Sequence, residues 1–301
     1  MSGFQARDVP DQSGRTFIVT GANTGIGREI ANILASRGGR VLLACRSEDK
    51  ANAAMRLIER ATKGADVAFL PLDLADLDSV RAAADIAARE PRLDVLVNNA
   101  GVMFPPLEHT KQGFELQFGV NHLGPFALTG LLLPKLAEHE GARVVVTSSL
   151  AHRRGVIEWD DLKAEQSYKR GQRYSDSKFA NMLHFAELDR RLRAAGSPVT
   201  AVGCHPGVAG TDLMRHSGPF RIFTPLLGMI LNTAAQGAWP ALQAATDPDI
   251  APGEYYGPQQ MGEARGPSGI ATRTDAARDA EMAARLWDLS VQLTGVDPAL
   301  K

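Results

Sequence analysis

Thr20-Gly-Ala-Asn-Thr-Gly-Ile-Gly27 decides how this chain is read. It follows Thr16 to Thr20, a short β-branched run, and leads into Ile26, Ile30, Ile33 and Leu34, spaced i, i+4, i+7, i+8 as on one face of a helix. The order is strand, glycine turn, helix. Backbone N–H groups and the helix dipole at such a junction favour a pyrophosphate, and glycine lets the backbone approach it closely. The spacing is GxxxGxG rather than GxGxxG, so on its own it leaves a purely structural turn open.

Working outward, the alternation repeats. Val41 to Ala44, Val67 to Leu70, Leu93 to Val97, Val144 to Val146 and Val199 to Val202 read as strands. Helical stretches lie between them at Ala51 to Ile58, Leu77 to Ala88, Leu128 to Leu136 and around Phe179 to Ala186. Parallel neighbours need a long return connection, which a helix provides while covering the sheet face. The expected fold is therefore α/β: a doubly wound, Rossmann-type parallel sheet with helices on both faces, whose ligand site lies beyond the carboxyl ends of the strands. One domain over residues 14–301 is expected, preceded by a tail over 1–13. Tyr255, Tyr256 and the Gly/Pro-rich Gly257 to Gly269 read as a loop. Met282, Leu286, Leu289 and Leu293 mark a last packing helix.

Composition excludes several classes. With 33 Lys+Arg against 34 Asp+Glu, no bulk charge draws the chain to nucleic acid or to an anionic membrane. Residues 1–14 lack the apolar core of a signal peptide and no apolar stretch reaches the length of a bilayer span, so a cytoplasmic protein is expected. Cys45 and Cys204 each follow an apolar run and read as buried free thiols, and the seven histidines show no metal-ligand spacing.

The chain resembles the short-chain dehydrogenase/reductase family from about Gly14 to Gly295. The matching pieces are Thr20 to Gly27, Asp73 in LDLAD, NNAG at Asn98 to Gly101, Asn121 in VNHLG, Ser148-Ser149, Tyr174-x-x-x-Lys178, and HPG at His205 to Gly207. LLACR at Leu42 to Arg46, SSLAH and the late Arg285-Leu-Trp-Asp are most similar to its retinol dehydrogenase-like branch. The resemblance implies an oxidoreductase that moves a hydride between a nicotinamide and an alcohol/carbonyl pair.

Each match has a chemistry. Tyr174 and Lys178 lie four apart at the start of a helix, so both reach one site. An ammonium near a phenol favours its phenolate, which moves a group of pKa near 10 toward useful acid/base values. By resemblance, Lys178 also bonds the nicotinamide ribose, Ser149 holds the substrate oxygen, and Asn121 holds a water that links Lys178 to solvent. The resemblance further gives the cofactor Gly21, Asn23, Thr24, Gly25, Ile26 and Gly27 in the first turn, and Asp73 and Leu74 beside adenine. Asn98 fixes the turns, Ala100 and Gly101 pass near the ribose, and Pro206, Gly207 and Thr211 meet the carboxamide. An N-cap role for Asp73 stays open, with Asp76 competing for that cap.

The strand ending Ala44-Cys45-Arg46 carries no acid to bond ribose hydroxyls, while Arg46 fits a 2′-phosphate, so NADP(H) is the expected cofactor. Residues 151–173 read as an inserted lobe that leaves the oligomeric state, homo-oligomer included, open. Residues 211–232 read as a substrate lid with an apolar stretch at 219–231, though a core or interface helix fits that composition equally well. A lid implies a lipophilic carbonyl or alcohol, retinoid-, steroid- or fatty-aldehyde-like. Two other readings share these motifs: a reductase of a conjugated C=C in a pigment-like substrate, and a non-catalytic NADP-binding sensor. The joint presence of Asn121, Ser149, Tyr174 and Lys178 favours the enzyme.

Overall fold

The computed structural model describes residues 3–208 and 232–300. Among them, eight strands form one sheet: β1 (Thr16–Thr20), β2 (Arg40–Cys45), β3 (Val67–Pro71), β4 (Val95–Asn98), β5 (Arg143–Thr147), β6 (Thr200–Cys204), β7 (Tyr255–Gln260) and β8 (Arg265–Ile270). Their order is β3-β2-β1-β4-β5-β6-β7-β8. All neighbours through β7 are parallel and β8 runs antiparallel to β7. The chain reverses its direction of progress between β1 and β4, so the crevice at their carboxyl ends is the expected ligand site of such a sheet.

The helices, in chain order, are α1 (Gly25–Ser36), α2 (Glu48–Ala61), α3 (Leu77–Ala87), α4 (Leu116–Phe118), α5 (Gly124–Leu136), α6 (Arg170–Ala194), α7 (Ala234–Thr246) and α8 (Ala280–Thr294). Phe17 and Val19 of β1 pack with Ile30 and Leu34 of α1, Ile58 of α2 and Leu242 of α7. Ile18 belongs to the opposite core, with Val80 of α3, Leu128 of α5, Leu183 of α6 and Leu286 of α8. Both faces of the sheet are covered, which is why its strands are continuous apolar runs rather than alternating ones. The doubly wound α/β sheet expected from the alternation is the one observed. No described helix is long and apolar enough to cross a membrane.

One expectation is corrected. Tyr255 to Gly269 is not a loop but most of the β7–β8 hairpin, with β7 pairing through Tyr255 and Tyr256 to Gly203 and Cys204. Its glycines and prolines mimic turn chemistry, yet Gly257 serves close packing: a Cβ there would overlap the His205 ring. Pro267 is tolerated because β8 closes one side of the sheet. The turn itself is shorter, with positive φ at Met261, Gly262 and Glu263.

Residues 151–173 begin in a 3-10 helix at Leu150–Arg154, and 155–169 contain no strand or helix. This stretch is tied down by Arg173 to Asp161 at 2.5 Å, by Tyr168 donating to the Pro105 carbonyl at 2.8 Å, and by the Arg285 guanidinium 3.9 Å over the Trp159 ring.

Candidate active site

The glycine turn is built by close approach. Gly21 and Gly25 adopt φ of +69° and +55°, where a side chain is strained, and Thr24 precedes α1 in extended backbone. A Cβ at Gly27 would strike the Gly21 carbonyl oxygen and the Asn99 amide. Asn23 and Ile26 are half-buried around this turn. Asn99 Nδ2 donates to the Thr20 carbonyl at 2.9 Å, while Thr20 Oγ1 accepts from the N–H groups of Asn99 and Ala100 at 3.0 and 2.9 Å. The residue fixing the turn is therefore Asn99, which the sequence reading missed. Asn98, expected in that role, points the other way and donates to Thr129 Oγ1 on α5 at 2.9 Å. Asn98 is the last residue of β4 and turns to the α5 side of the sheet, whereas Asn99, just past the strand, lies beside the Thr20 turn.

Around this turn the strands leave a row of further residues. Arg46 is exposed just past β2 and makes no ion pair among the described residues. Asp73, past β3, accepts from the Ala75 N–H at 3.0 Å, and its own N–H donates to Ser79 Oγ at 2.9 Å. The α3 cap belongs to Asp76, which accepts from the Asp78 N–H, so the Asp73 carboxylate is not the N-cap of that helix. Leu74 is buried, its carbonyl against Gly124 at the start of α5.

Asn121 sits in a π-helical turn, Gly119–Leu123, wholly buried between α4 and α5. Such turns recur at functional sites. Its Oδ1 accepts from the Val102 N–H at 2.7 Å, and its Nδ2 reaches the Val102 carbonyl at 3.0 Å and Ser177 Oγ at 2.9 Å. The side chain thus pins the segment after β4 that carries Gly101. A Cβ on Gly101 would stand 3.1 Å from Asn121 Oδ1 and 3.4 Å from Lys178 Nζ, so only a glycine leaves this space clear.

Tyr174 and Lys178 lie on the first turns of α6, and both are buried. Ser148 donates to the Lys178 carbonyl at 2.8 Å, and Ser149 opens the 3-10 helix by accepting from the Ala151 N–H at 3.2 Å. The Ser149 hydroxyl also acts on the Tyr174 phenol. The expected depression of the phenol by the ammonium is not found. Burial pushes Tyr174 above its ordinary value, with the Ser149 bond opposing. Lys178 Nζ stands 5.9 Å from the ring centre, and the hydrogen bond it makes is to the Thr147 carbonyl at 3.3 Å. The same burial lowers Lys178 to about 8, so at neutral pH its ammonium persists but is held weakly.

Beside Tyr174 opens a cleft of ≈ 580 Å³, walled by Phe104, Leu150, Ala151, Arg153, Gln172 and Ser175. The Phe104 ring meets Tyr174 edge-on at 5.4 Å. On the far side, Pro206 accepts from Asn232 Nδ2 at 3.0 Å, and Gly207, at φ +72°, has the β7–β8 turn where a Cβ would go. Thr211 and residues 211–231 of the expected lid lie outside the described residues. Cys45 and Cys204 are buried and free. The cradle left by Gly21, Gly25, Gly27 and Gly101 has the open backbone that a dinucleotide's pyrophosphate would need at the start of α1.

Comparisons with known proteins agree with this architecture. The family model for short chain dehydrogenases matches residues 15–221. Human retinol dehydrogenase 12 is 42% identical over 286 residues, covering 94% of this chain and 87% of that protein. Mouse retinol dehydrogenase 14 is 39% identical over 300 residues, covering 94% and 86%. Among solved structures, an uncharacterized protein from Mycobacterium paratuberculosis superposes with a TM-score of 0.84 at 41% identity, covering 99% of this chain and 100% of that one. A short chain dehydrogenase from Shigella flexneri complexed with NADP gives 0.64 at 26% identity, covering 80% and 94%.

Proposed function

Because the chain belongs to the short-chain dehydrogenase family, we propose that it is an NADP(H)-dependent oxidoreductase interconverting an alcohol and an aldehyde or ketone on a lipophilic substrate. The observation that carries this reading is the convergence of Ser149, Tyr174 and Lys178 where the cleft meets the glycine cradle. The nicotinamide, when bound, supplies or takes the hydride.

The chain's own residues do the rest. The Ser149 hydroxyl and the Tyr174 phenol face one position, where a substrate oxygen accepts from both as charge develops on it. Burial keeps the phenol protonated at neutral pH, which is the form that donates in reduction; in oxidation the same oxygen takes the proton back. Lys178, through its charge, steadies the phenolate left behind and bonds the nicotinamide ribose. Asn121 keeps Gly101 beside Lys178 by its bonds to Val102. Arg46, exposed next to the cradle, pairs with the 2′-phosphate, and Asp73 and Leu74 flank adenine.

Phe104, Leu150 and Ala151 in the cleft wall, together with relatives named as retinol dehydrogenases, favour a retinoid-, steroid- or fatty-aldehyde-like substrate. The test is NADPH oxidation against retinal, steroid ketones, aliphatic aldehydes and quinones. Turnover of a lipophilic carbonyl that is lost in Tyr174→Phe supports the reading. Tight NADPH binding with no turnover of any of them would leave a sensor instead.

A further inference from the structure

A charge bridge, exposed at Arg153 and buried at His205, joins the wall of the cleft to the turn after β6. Glu263, in the β7–β8 turn at φ +68°, has a side chain only 15% exposed. Its carboxylate accepts from Arg153 Nη2 at 2.6 Å and from the Thr272 N–H at 2.9 Å, and His205 Nε2 lies 3.4 Å away. Arg153 lines the cleft with Tyr174, on the 3-10 helix that Ser149 caps. His205 is wholly buried and immediately precedes Pro206 and Gly207.

The Gly207 N–H donates to His205 Nδ1 at 3.2 Å. That bond sets the tautomer: Nδ1 carries the lone pair, so the ring proton sits on Nε2, which makes no hydrogen bond and lies 3.4 Å from the Glu263 carboxylate, within electrostatic reach. We infer that Glu263 is a positioning residue: through Arg153 it holds the cleft wall next to Ser149, and through His205 it holds the Gly207 turn, so the two sides of the site keep a fixed separation. The role in turnover rests on the oxidoreductase reading; the bridge itself does not.

The bridge is sensitive to protonation. Burial holds His205 below its ordinary pKa; the Glu263 carboxylate opposes this and Arg153 adds to it. The Tyr255 ring lies 5.3 Å from His205, and His152 also bears on it from the 3-10 helix. Adding a proton to Nδ1 removes the acceptor of the Gly207 N–H. Without the Glu263 charge the imidazole becomes harder to protonate; without the Arg153 charge it becomes easier.

The test uses the full chain with histidine labelled by nitrogen-15, assigned with His205→Gln, and kinetics with NADPH and retinal. NMR is expected to show an acceptor-type Nδ1 and an Nε2–H on His205. Its titration should move to lower pH in Glu263→Gln and to higher pH in Arg153→Gln. Glu263→Ala should lower kcat by roughly ten- to a hundredfold, the scale of small misplacements in a site, with NADPH affinity retained. Glu263→Gln, which keeps an acceptor for Thr272, should lose less, and the acid limb of kcat should follow the two NMR shifts. A proton on Nδ1, or titrations that move together in the two variants, overturns the bridge. Unchanged kcat and pH profile in both Glu263 variants overturns the positioning role. Were the wild type to turn over no carbonyl, the functional reading would fall while the NMR result still decided the bridge.

Discussion

Lys178 and Tyr174 stand one helical turn apart on α6, with Nζ 5.9 Å from the centre of the phenol ring and its hydrogen bond given to the Thr147 carbonyl. The ammonium therefore bonds elsewhere than to the phenol, while Ser149 acts on the phenol directly. On the proposed reading, Tyr174 is the proton donor and Lys178 its electrostatic support.

Tyr174→Phe removes the phenol that meets both Ser149 and the cleft, and leaves the edge-on Phe104 contact in place. The expected loss in kcat is about 10²- to 10⁴-fold, the usual contribution of a positioned acid or base. NADPH affinity, followed by fluorescence, should stay near the wild-type value. A variant that keeps full turnover ends the assignment.

Lys178 gives a pH prediction. Its pKa in the fold is about 8, below the ordinary lysine value because of burial. Activity that needs the ammonium should fall as pH rises through about 8, and Lys178→Arg, which stays charged, should lose this limb even if its kcat is lower. The stability sign is opposite. Between the folded and unfolded pKa the unfolded chain binds the extra proton, so this group makes folding more favourable as pH climbs across that window. Denaturant titrations through the same range, compared with Lys178→Met, check the direction.

Asn99→Ala removes the bond to the Thr20 carbonyl and opens space beside Gly27. A lost buried hydrogen bond costs about 1–3 kcal/mol, so a lowered Tm is expected with NADPH affinity weakened roughly tenfold. Asn98→Ala, which releases only Thr129 on α5, should affect stability and spare the affinity. Equal effects on affinity from the two variants would show that Asn99 has no special hold on the turn.

Arg46→Ala should raise the KM for NADPH by roughly tenfold or more and leave the KM for NADH little changed, as the loss of a charge-assisted phosphate contact predicts. Retained preference for NADPH would remove Arg46 from the site. Because Arg46 is exposed and unpaired among the described residues, its replacement should not alter Tm.

Much of this was legible in the sequence because the carriers are local. The β/α alternation, the glycine turn, and the Tyr174 to Lys178 spacing each lie within a few residues of chain, and they predicted the sheet and where its ligand edge lies. What was not legible depends on burial or on distant pairing. Choosing Asn99 over Asn98 needs the end of β4 and the partners that meet each side chain. Seeing strands in Tyr255 to Gly269 needs the partner β6, against which its glycines and prolines stop being turn signals. Glu263 looked like one more acid in a loop until Arg153 and His205 were brought to it from over fifty residues away. The direction of the Tyr174 shift follows from how much water α6 excludes, a quantity no motif states.

The outer border of β8 carries one more consequence. Phe4 and Ser268 exchange backbone hydrogen bonds at 2.8 and 2.9 Å, and the next position along, Pro267, has no N–H to offer. A strand that ends a sheet among the described residues is a template on which a stranger's backbone can add itself. Here the molecule's own leading residues already lie along part of it, so trimming them would uncover a sticky seam, and the harm would be felt in precipitation on storage before it was felt in catalysis.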